Sequence, residues 1–480
     1  MLKTISFIAL LAYFAILLLI VLKDKKNKNT LDYFFAGRNL PFWALSITFI
    51  ASWWGAGSAI ETADSAYKEG IGAFWIYGMP VLISAFLMIL GGGFIRRIGY
   101  LTQSEMMGQR YSPLAAKMLA VMILLFMVFN VAVQMVGVGT IFSSYLGISY
   151  EFGVILGASI VIIYSMFGGF RGVVITDLIQ FVLLFFSAIA VLVVAFMYSG
   201  GIENIKQAAQ VKELSDYFSF AAGAEKNFIF VITFGFSWVI QANVWQRLSA
   251  ARTEKDSTKM AIMSFFVYIP LYLTVVFTGM AALGIYKEFP QAGIIASLVT
   301  DYMHPLIGAF VFLGLSAAVM STMDSLINTG AMTIGMDLSK DNLDEKTRLK
   351  ISRIATLVIA LIGIVISIWI RSILELTFVA SDIITTGVFI PLIFGFFWKR
   401  GTAAGAISSM IFGIIFSFYN LFVVQGLNLP IFWEVKSAYQ AIIGIVISAL
   451  IYIIVSLFTK PDYDKAKNFL KGKEDKDYIK

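Results

Sequence analysis

The stretch Leu315–Ser325, LSAAVMSTMDS, lies inside an apolar segment that is long enough to cross a membrane. On a helix, side chains spaced three, four and seven positions apart share one face. In this stretch that face carries small and hydroxyl side chains, namely Ala318, Ser321, Thr322 and Ser325. Two interpretations follow. The face is an ion site between closely packed helices, or the hydroxyls bond to carbonyls one turn earlier, as is common in membrane helices.

Asp324, within the same stretch, favours the ion-site interpretation. A carboxylate at membrane depth is costly, so a residue of this kind is a candidate for function. Pairing of Asp324 with a basic residue of a loop is the structural alternative.

The composition predicts an integral membrane protein, because 59% of the 480 residues are hydrophobic and only 14% are charged. The absence of cysteine excludes disulfides, thiolate metal sites and a cysteine nucleophile. The single histidine, His304, excludes histidine metal clusters, and its place beside Pro305 indicates a loop or cap role. The net charge of +7 comes from basic residues in the loops, which predicts membrane topology and no nucleic-acid partner.

Apolar windows of about 20 residues, the length that crosses a hydrocarbon core roughly 30 Å thick, recur along the chain. We count thirteen, beginning near Ser6, Phe42, Phe74, Leu119, Phe152, Val173, Phe228, Met260, Leu306, Ile354, Leu376, Ala404 and Ala438. The basic residues that follow the first window stand where a signal peptide would have its cleavage site, so we expect this span to be retained. With the amino terminus outside, 28 of the 36 Lys and Arg residues lie inside, which predicts a multi-pass cell-membrane protein with a cytoplasmic carboxyl terminus.

Two of the spans carry residues that interrupt a helix. The second span, Phe42–Ile60, has glycines and serines at its middle, in the run Ala51–Ser58. The seventh, Phe228–Leu248, carries Gly235, Ser237, Gln241 and Asn243. The two spans are five apart and therefore cross in opposite directions, which is typical of an inverted repeat whose broken helices meet at the midplane. Glycine packing and polar contacts between unbroken helices are the alternative.

Several stretches resemble the sodium:solute symporter family, which includes bacterial proline, pantothenate, sialic acid and sugar carriers. They follow the family's order from residue 32 to about residue 410, and they are Asp32–Arg38 with Pro41, Gly168–Gln180, Gln246–Ala251, Ala317–Ser325 and Pro391–Arg400. The resemblance implies an all-α integral membrane protein of about 13 transmembrane helices with a five-plus-five inverted-repeat, LeuT-like core. The expected segments are a first transmembrane helix and basic loop (1–30), a first repeat (31–200), an extracellular loop (201–227), a second repeat (228–400), two peripheral helices (401–459) and a basic cytoplasmic tail (460–480).

The resemblance also implies a sodium site between the first broken helix and the eighth core helix. Its ligands are expected to be the carbonyls of Ala51, Trp54 and Ala318 and the hydroxyls of Ser321 and Thr322. Neutral oxygens of this kind suit a monovalent ion that must bind and leave, whereas clustered carboxylates suit Ca²⁺ or Mg²⁺.

Asp177 matches an aspartate of the family near the inner end of the fifth core helix. With Asp324 and Ser325 it is expected to help release sodium inward, to hold a second cation, or to share a proton. The structural alternative for Asp177 is pairing with Arg171 or capping of the helix that begins at Gly172.

The solute site departs from the family's patterns, because it has Trp53 and Trp54 in the first break and lacks the glutamine and asparagine pattern of the sugar carriers. The expected solute-binding residues are Ser52, Trp53, Ser58, Trp238, Gln241 and Asp382. An acid such as Asp382, Glu61 or Asp64 can pair with an amine, which favours an amino acid or related small metabolite. For Glu61 and Asp64, a solvated place at the membrane interface is the alternative.

The function predicted on this basis is sodium-coupled import of a small organic solute by a monomeric carrier in the lipid bilayer. One alternative is proton coupling through Asp177 and Asp324. Another is a transporter-like receptor or channel. An intramembrane enzyme has little support. The chain has no cysteine, its one histidine lies outside the spans, and it has no cluster of metal-binding residues.

Overall fold

The computed structural model describes residues 1–23, 29–340, 342–424 and 437–473. Part of the predicted basic loop (24–28) and the end of the predicted basic tail (474–480) lie outside the described residues. The described part of the chain is helical and contains no β-strand. Its α-helices are α1 (Leu2–Lys23), α2 (Thr30–Phe35), α3 (Phe42–Trp53), α4 (Thr62–Glu69), α5 (Gly78–Ile98), α6 (Gln103–Arg110), α7 (Pro113–Leu146), α8 (Tyr150–Tyr198), α9 (Ile202–Val211), α10 (Phe220–Phe230), α11 (Phe236–Val239), α12 (Ala242–Ala250), α13 (Glu254–Leu283), α14 (Ile294–Tyr302), α15 (Pro305–Met332), α16 (Glu345–Trp369), α17 (Ile373–Gly387), α18 (Phe389–Phe397), α19 (Ala403–Val424), α20 (Ser437–Phe458) and α21 (Tyr463–Asn468).

Among the described residues, ten helices are long and apolar enough to cross a membrane, or eleven if one bent pair is counted as a span. The 49-residue helix α8 would be about 74 Å long, more than twice the thickness of a hydrocarbon core. Its backbone leaves the helical conformation at Gly169 (φ 54°, ψ −166°), which divides it into two spans. Likewise Gly70, with φ 66°, separates α4 from α5 within the 42-residue helical segment Gly57–Ile98. Divided in this way, the described helices correspond to the thirteen predicted windows.

The first broken helix consists of α3, a short linker and the π-helical segment Gly57–Glu61 that leads into α4. Helix α3 starts after Pro41 and ends at Trp53, because Trp54 has the non-helical angles φ −90° and ψ 58°. Glycine is required next to this point, since a Cβ atom at Gly57 would lie 2.5 Å from the ring of Tyr77. The interruption predicted between Ala51 and Ser58 is therefore present in the structure.

The second broken helix joins α10, the π-helical segment Val231–Gly235 and α11 to α12, with a bend of 47°. The chain turns at Ile240 and Gln241, where Gln241 has the extended angles φ −63° and ψ 129°. Of the residues that indicated an interruption, Gln241 lies at the bend and Gly235 ends the π-helical segment.

Helix α15 is the centre of the bundle. It begins after His304, whose imidazole Nδ1 accepts a hydrogen bond from the Leu306 N–H, so this histidine has the cap role that the sequence predicted. Every residue from Gly314 to Met332 is buried, and the helix packs against α1, α7 and α8. Polar side chains within this range are therefore held away from both water and lipid.

The described part of the tail packs against the loop between α5 and α7. The Lys473 N–H donates to the Ile98 carbonyl (2.8 Å), and the Lys473 ammonium pairs with Glu105 (2.6 Å). Tyr100 donates its hydroxyl hydrogen to the Phe469 carbonyl (3.0 Å), and burial, with the charge of Glu105, raises the pKa of Tyr100 to about 12. Residues 460–473 are thus an ordered part of the fold.

Candidate functional site

At the first break, two hydroxyls of α15 meet a carbonyl at the end of α3. The Ser321 hydroxyl donates to the Ala51 carbonyl (3.0 Å) and to the Ala318 carbonyl (2.9 Å). The Thr322 hydroxyl approaches the same two carbonyl oxygens, each at 3.2 Å. Four oxygens from two helices therefore form one buried group, which we call the oxygen cluster.

Both interpretations of the hydroxyl face apply to this arrangement. The bonds to Ala318 are the ordinary contacts of serine and threonine with a carbonyl one turn earlier. The bonds to Ala51 cross to another helix at the point where α3 ends, and helical back-bonding does not account for them. Such a group of neutral oxygens matches the coordination that a monovalent cation prefers.

Trp54, the fifth predicted sodium ligand, lies three residues after Ala51 at the break itself. Its ring is buried and packs edge-on against Tyr272, with centroids 4.8 Å apart. The structure therefore joins four of the five predicted ligands by direct hydrogen bonds and places Trp54 beside them in the linker.

A second polar group lies one turn further along both helices. Thr48 precedes Ala51 by three residues on α3, and Ser325 follows Thr322 by three on α15. The Arg247 guanidinium of α12 donates to the hydroxyl oxygens of Thr48 (3.0 Å) and Ser325 (2.7 Å). Because these residues continue from the oxygen cluster, the two groups form a continuous polar line.

Asp177 is the anionic partner of Arg247 in this second group. The two side chains are completely buried, and the Arg247 Nη2 atom lies 3.7 Å from the Asp177 Oδ2 atom. Thr48 also donates its hydroxyl hydrogen to this carboxylate. The sequence left open that Asp177 pairs with Arg171. In the structure the cation that pairs with Asp177 is Arg247.

Asp324 faces the same region and is also completely buried. It accepts a hydrogen bond from the Tyr164 hydroxyl (2.9 Å) and a long one from the Ser325 hydroxyl (3.4 Å). The structure therefore places all three predicted residues of this group, Asp177, Asp324 and Ser325, around the side chain of Arg247.

A cavity lies between the two breaks. The centres of water molecules could occupy about 50 Å³ of it. Thr322 lines it, so the oxygen cluster borders the cavity directly. Among the described residues that line it, none is charged. Five of the six predicted solute-binding residues are in its wall, namely Ser52, Trp53, Ser58, Trp238 and Gln241.

The two breaks are connected across this cavity by Trp53 and Gln241. The Trp53 indole N–H donates to the Gln241 side-chain oxygen at 2.6 Å. Trp238 lies 6.1 Å from Trp53 and stacks on Tyr77 at a similar distance, so aromatic rings cover much of the wall. The Ser58 hydroxyl donates to the Trp53 carbonyl (3.0 Å) and lies 2.6 Å from the Tyr272 hydroxyl, which fixes the linker against α13.

Asp382 is the predicted solute-binding residue that the structure does not bring to this cavity. It lies on another face of α17, near Asn420 of α19. Asp64 has a structural partner, because its carboxylate accepts a hydrogen bond from the Ile294 N–H at the start of α14. Neither acid is among the described residues that line the central cavity.

Gln134 is a residue of the site that sequence reasoning missed. Its side-chain oxygen accepts a hydrogen bond from the Ala56 N–H (2.8 Å), one of the backbone groups that the break leaves without a helical partner. A Cβ atom on Gly55 would also collide with this amide. A lone glutamine within the apolar span of α7 was the signal that would have identified it.

We expect Gln134→Ala to destabilise the protein by about 1–3 kcal/mol, because the Ala56 N–H then remains buried without an acceptor. The measurement is thermal unfolding of the purified protein in detergent. Asn130→Ala is the matched control, since Asn130 lies one turn away in the same cavity wall but donates to the Phe126 carbonyl of its own helix. Equal stability of the two variants would show that Gln134 does not support the break.

The chain is similar to known transporters over almost its whole length. The family model for sodium:solute symporters matches residues 33–413. A sodium/proline symporter of Staphylococcus aureus is 25% identical, with 95% of this chain and 93% of the relative covered. The osmoregulated proline transporter OpuE of Bacillus subtilis (strain 168) is also 25% identical, with 91% of each chain covered.

Three solved structures have the same arrangement of helices. A Na⁺-coupled sialic acid symporter in a substrate-bound outward-open state matches with a TM-score of 0.76 at 20% identity, covering 95% of this chain and 98% of that one. The nucleobase-cation-symport-1 transporter Mhp1, closed around bromovinylhydantoin, matches at 0.59 (13% identity, 92% and 97% covered). MhsT in complex with L-phenylalanine matches at 0.55 (14% identity, 86% and 97% covered). These likenesses confirm the expected fold class, an all-helical membrane protein with a LeuT-like core.

Proposed function

The chain belongs to the sodium:solute symporter family, and we propose that it imports a small zwitterionic amino acid with a compact apolar side chain, together with sodium. The family and the relatives are transporters and not enzymes, and sodium is the ion that they co-transport. Proline is the first solute to test, because the Staphylococcus and Bacillus relatives are proline transporters.

The observation that carries this proposal is the position of Thr322. Its hydroxyl belongs to the oxygen cluster, and its side chain also lines the solute cavity. A sodium ion bound by Ala51, Trp54, Ala318, Ser321 and Thr322 would therefore order one wall of the solute site. This contact gives ion binding and solute binding a common side chain, as coupled transport requires.

The chemistry of the cavity favours a zwitterion with a small apolar body. Gly55 and Gly57 line it at the beginning of a half-helix, whose N-terminal N–H groups attract a carboxylate. The described residues of the wall include no acid for an ammonium group, so the faces of Trp53, Trp238 and Tyr77 would receive it. The limited volume excludes a sugar of several rings and favours a compact amino acid.

Sodium entry supplies enough energy for accumulation of the solute. One charge that moves down about 100 mV yields roughly 2.3 kcal/mol. A tenfold sodium gradient adds about 1.4 kcal/mol. Together these terms support a solute ratio of several hundredfold for one ion per cycle.

We assign the end of the bundle that contains Arg247 to the cytoplasm, with the amino terminus outside. At this end, Arg38 donates to the Ser249 carbonyl (2.8 Å) and Gln246 donates to the Phe34 carbonyl (2.7 Å). These bonds tie the segment before α3 to α12. They must break before the solute cavity opens inward.

The second polar group then lies between the oxygen cluster and the cytoplasm. Thr48, Asp177 and Ser325 provide oxygens one turn inward of the cluster, so they form the release path for sodium. Arg247 lies on this path, where it contacts Ser325 and neutralises Asp177. Movement of α12 would remove the guanidinium and expose the carboxylate to the departing ion.

We expect Trp53→Phe to raise the KM for the solute about five- to tenfold, because the indole N–H that orients Gln241 is lost. The sodium concentration for half-maximal uptake should stay the same, since Trp53 supplies no predicted sodium ligand. Trp43→Phe is the control, because Trp43 is 49% exposed at the start of α3. Identical KM values for the two variants would remove Trp53 from the solute site.

The experiment that tests the proposed solute is counterflow in proteoliposomes. Vesicles loaded with an unlabelled candidate solute are diluted into the labelled form of the same solute with sodium, and proline, other amino acids, sugars and carboxylates are compared in parallel. Accelerated exchange with proline or another small apolar amino acid, dependent on sodium, supports the proposal. Exchange with sugars or carboxylates alone would contradict it.

A further inference from the structure

A second cavity lies between α17, α19 and α20, on the side of α17 that faces away from the solute. The centres of water molecules could occupy about 300 Å³ of it, so it has room for several waters. Helix α17 separates the two cavities, because Thr377 lines the central one and Val379 lines the other. The polar residues in the wall of this lateral cavity are Ser372, Glu375, Asp382, Asn420 and Gln440.

Asp382 is the innermost acid of the lateral cavity. It is the tenth residue of the span Ile373–Phe397 and is only 4% exposed. One carboxylate oxygen, Oδ2, has a long hydrogen bond of 3.5 Å from the Asn420 amide, and the other, Oδ1, has no partner among the described residues. A carboxylate at this depth with an unused oxygen is costly unless something else binds it.

Asn420 adds a second unused acceptor at the same place. Its side-chain oxygen is buried and also lacks a partner in the part of the chain that the structure describes. Two acceptor oxygens on neighbouring helices therefore face one cavity. Buried acceptors of this kind are normally satisfied by a donor or a cation.

We infer that the lateral cavity is a binding site for a small monovalent cation, held by Asp382 and Asn420. The cation is either an alkali metal ion or a protonated amine, since both supply the positive charge that the two oxygens lack.

The lateral site is separate from the oxygen cluster but is close to the moving parts. The neighbouring Ser381 hydroxyl accepts a hydrogen bond from Ser237 of the second broken helix (3.2 Å). Thr385, one turn later, donates to the Thr233 carbonyl in the π-helical segment (3.2 Å). A cation bound at Asp382 is therefore one helix away from the solute and can alter transport without being a ligand of the sodium at Ala51.

The test uses the absence of cysteine from the chain, which makes one introduced thiol a unique label. Val379→Cys places the thiol in the wall of the lateral cavity, three residues before Asp382. Two thiosulfonate reagents are compared, the cationic 2-aminoethyl and the anionic 2-sulfonatoethyl methanethiosulfonate, each rate divided by its rate with a free thiol in solution. We expect the cationic reagent to react about tenfold faster, and Asp382→Asn in the same protein to remove this preference.

Protection identifies the cation. Sodium chloride and methylammonium chloride are each compared with N-methylglucamine chloride at equal ionic strength. Slower labelling with sodium indicates an alkali metal ion, slower labelling with methylammonium indicates an amine, and in both cases Asp382→Asn should remove the effect. A charge preference that Asp382→Asn leaves unchanged, or protection by neither salt, would overturn the inference.

Two further variants allow the inference to be tested if the Val379→Cys protein does not fold well. Leu374→Cys places the thiol nearer to the mouth of the same cavity, and a lack of reaction at both positions in folded protein would show that no accessible site exists. Asn420→Asp adds a second carboxylate and should increase the preference for the cationic reagent, a gain that loss of folding cannot produce. None of these readouts depends on transport, so the inference can fail while the proposed function stands.

Discussion

Replacement of Ser321 and Thr322 together by alanine should raise the sodium concentration for half-maximal uptake at least tenfold, and we expect this to be the largest effect on coupling. The double variant removes both hydroxyls of the oxygen cluster and leaves only the carbonyls of Ala51, Trp54 and Ala318. Loss of about 1.4 kcal/mol of ion binding, a modest value for two ligands, already gives a tenfold change.

The two single variants separate the roles of the hydroxyls. Ser321→Ala should change the sodium dependence alone. Thr322→Ala should also raise the KM for the solute, because Thr322 lines the central cavity. Ser316→Ala is the matched control, since the buried Ser316 hydroxyl donates to the Phe312 carbonyl of its own helix (2.7 Å). A double variant with unchanged sodium dependence would remove both residues from the coordination shell.

Arg247→Gln should destabilise the protein by about 3–5 kcal/mol, enough to abolish most folded material, because it leaves the buried charge of Asp177 without its partner. The same substitution removes the bonds to Thr48, Ser325 and the Asn243 carbonyl. The measurement is the yield of monodisperse protein and its unfolding temperature in detergent.

A second-site substitution distinguishes loss of the ion pair from general damage. Arg247→Gln combined with Asp177→Asn should recover much of the stability, because the uncompensated charge is removed. Arg252→Gln serves as the control, since Arg252 is an exposed residue just after α12 whose guanidinium donates to the Asn39 carbonyl (3.0 Å). Equal stability of Arg247→Gln and the parent protein, or no recovery in the double variant, would contradict the assigned pairing.

The features that could be predicted from the sequence are those with a local signal. Glycines and serines within an apolar span showed where α3 ends, and helical spacing showed that Ser321 and Thr322 share a face. Both signals depend only on neighbours a few residues away, so they can be recognised without knowing how the helices pack. The family resemblance then supplied the partner helix, α3, and in the structure the Ser321 hydroxyl donates to the Ala51 carbonyl near the end of that helix.

The site features that could not be predicted from the sequence depend on contacts between helices that are far apart in the chain. No local signal marks Arg247 as buried, because it lies next to the end of the predicted span Phe228–Leu248, yet its side chain is completely buried. Gln134 and Tyr272 belong to spans without any interruption, and only the assembled bundle brings them to the break. Asp382 was placed with the solute because it lies within a span, but its position on α17 points it to the lateral cavity.

The structure also distinguishes the roles of the two aspartates near Arg247. Asp177 with Arg247 is an ion pair, whereas Asp324 is held by neutral donors from Tyr164 and Ser325. An acid already neutralised by a buried guanidinium is a poor proton carrier. The arrangement therefore favours sodium coupling over the proton-coupled alternative and leaves Asp324 as the acid on which that alternative would depend.

The most direct test of the central claim is uptake into proteoliposomes of the solute that counterflow identifies, driven by one imposed gradient at a time. An inward sodium gradient at equal pH on both sides should drive accumulation, an inside-negative potential should increase it, and the Ser321 and Thr322 double variant should lose it at low sodium. Accumulation driven by a proton gradient in the absence of sodium, with indifference to the sodium gradient, would contradict the account.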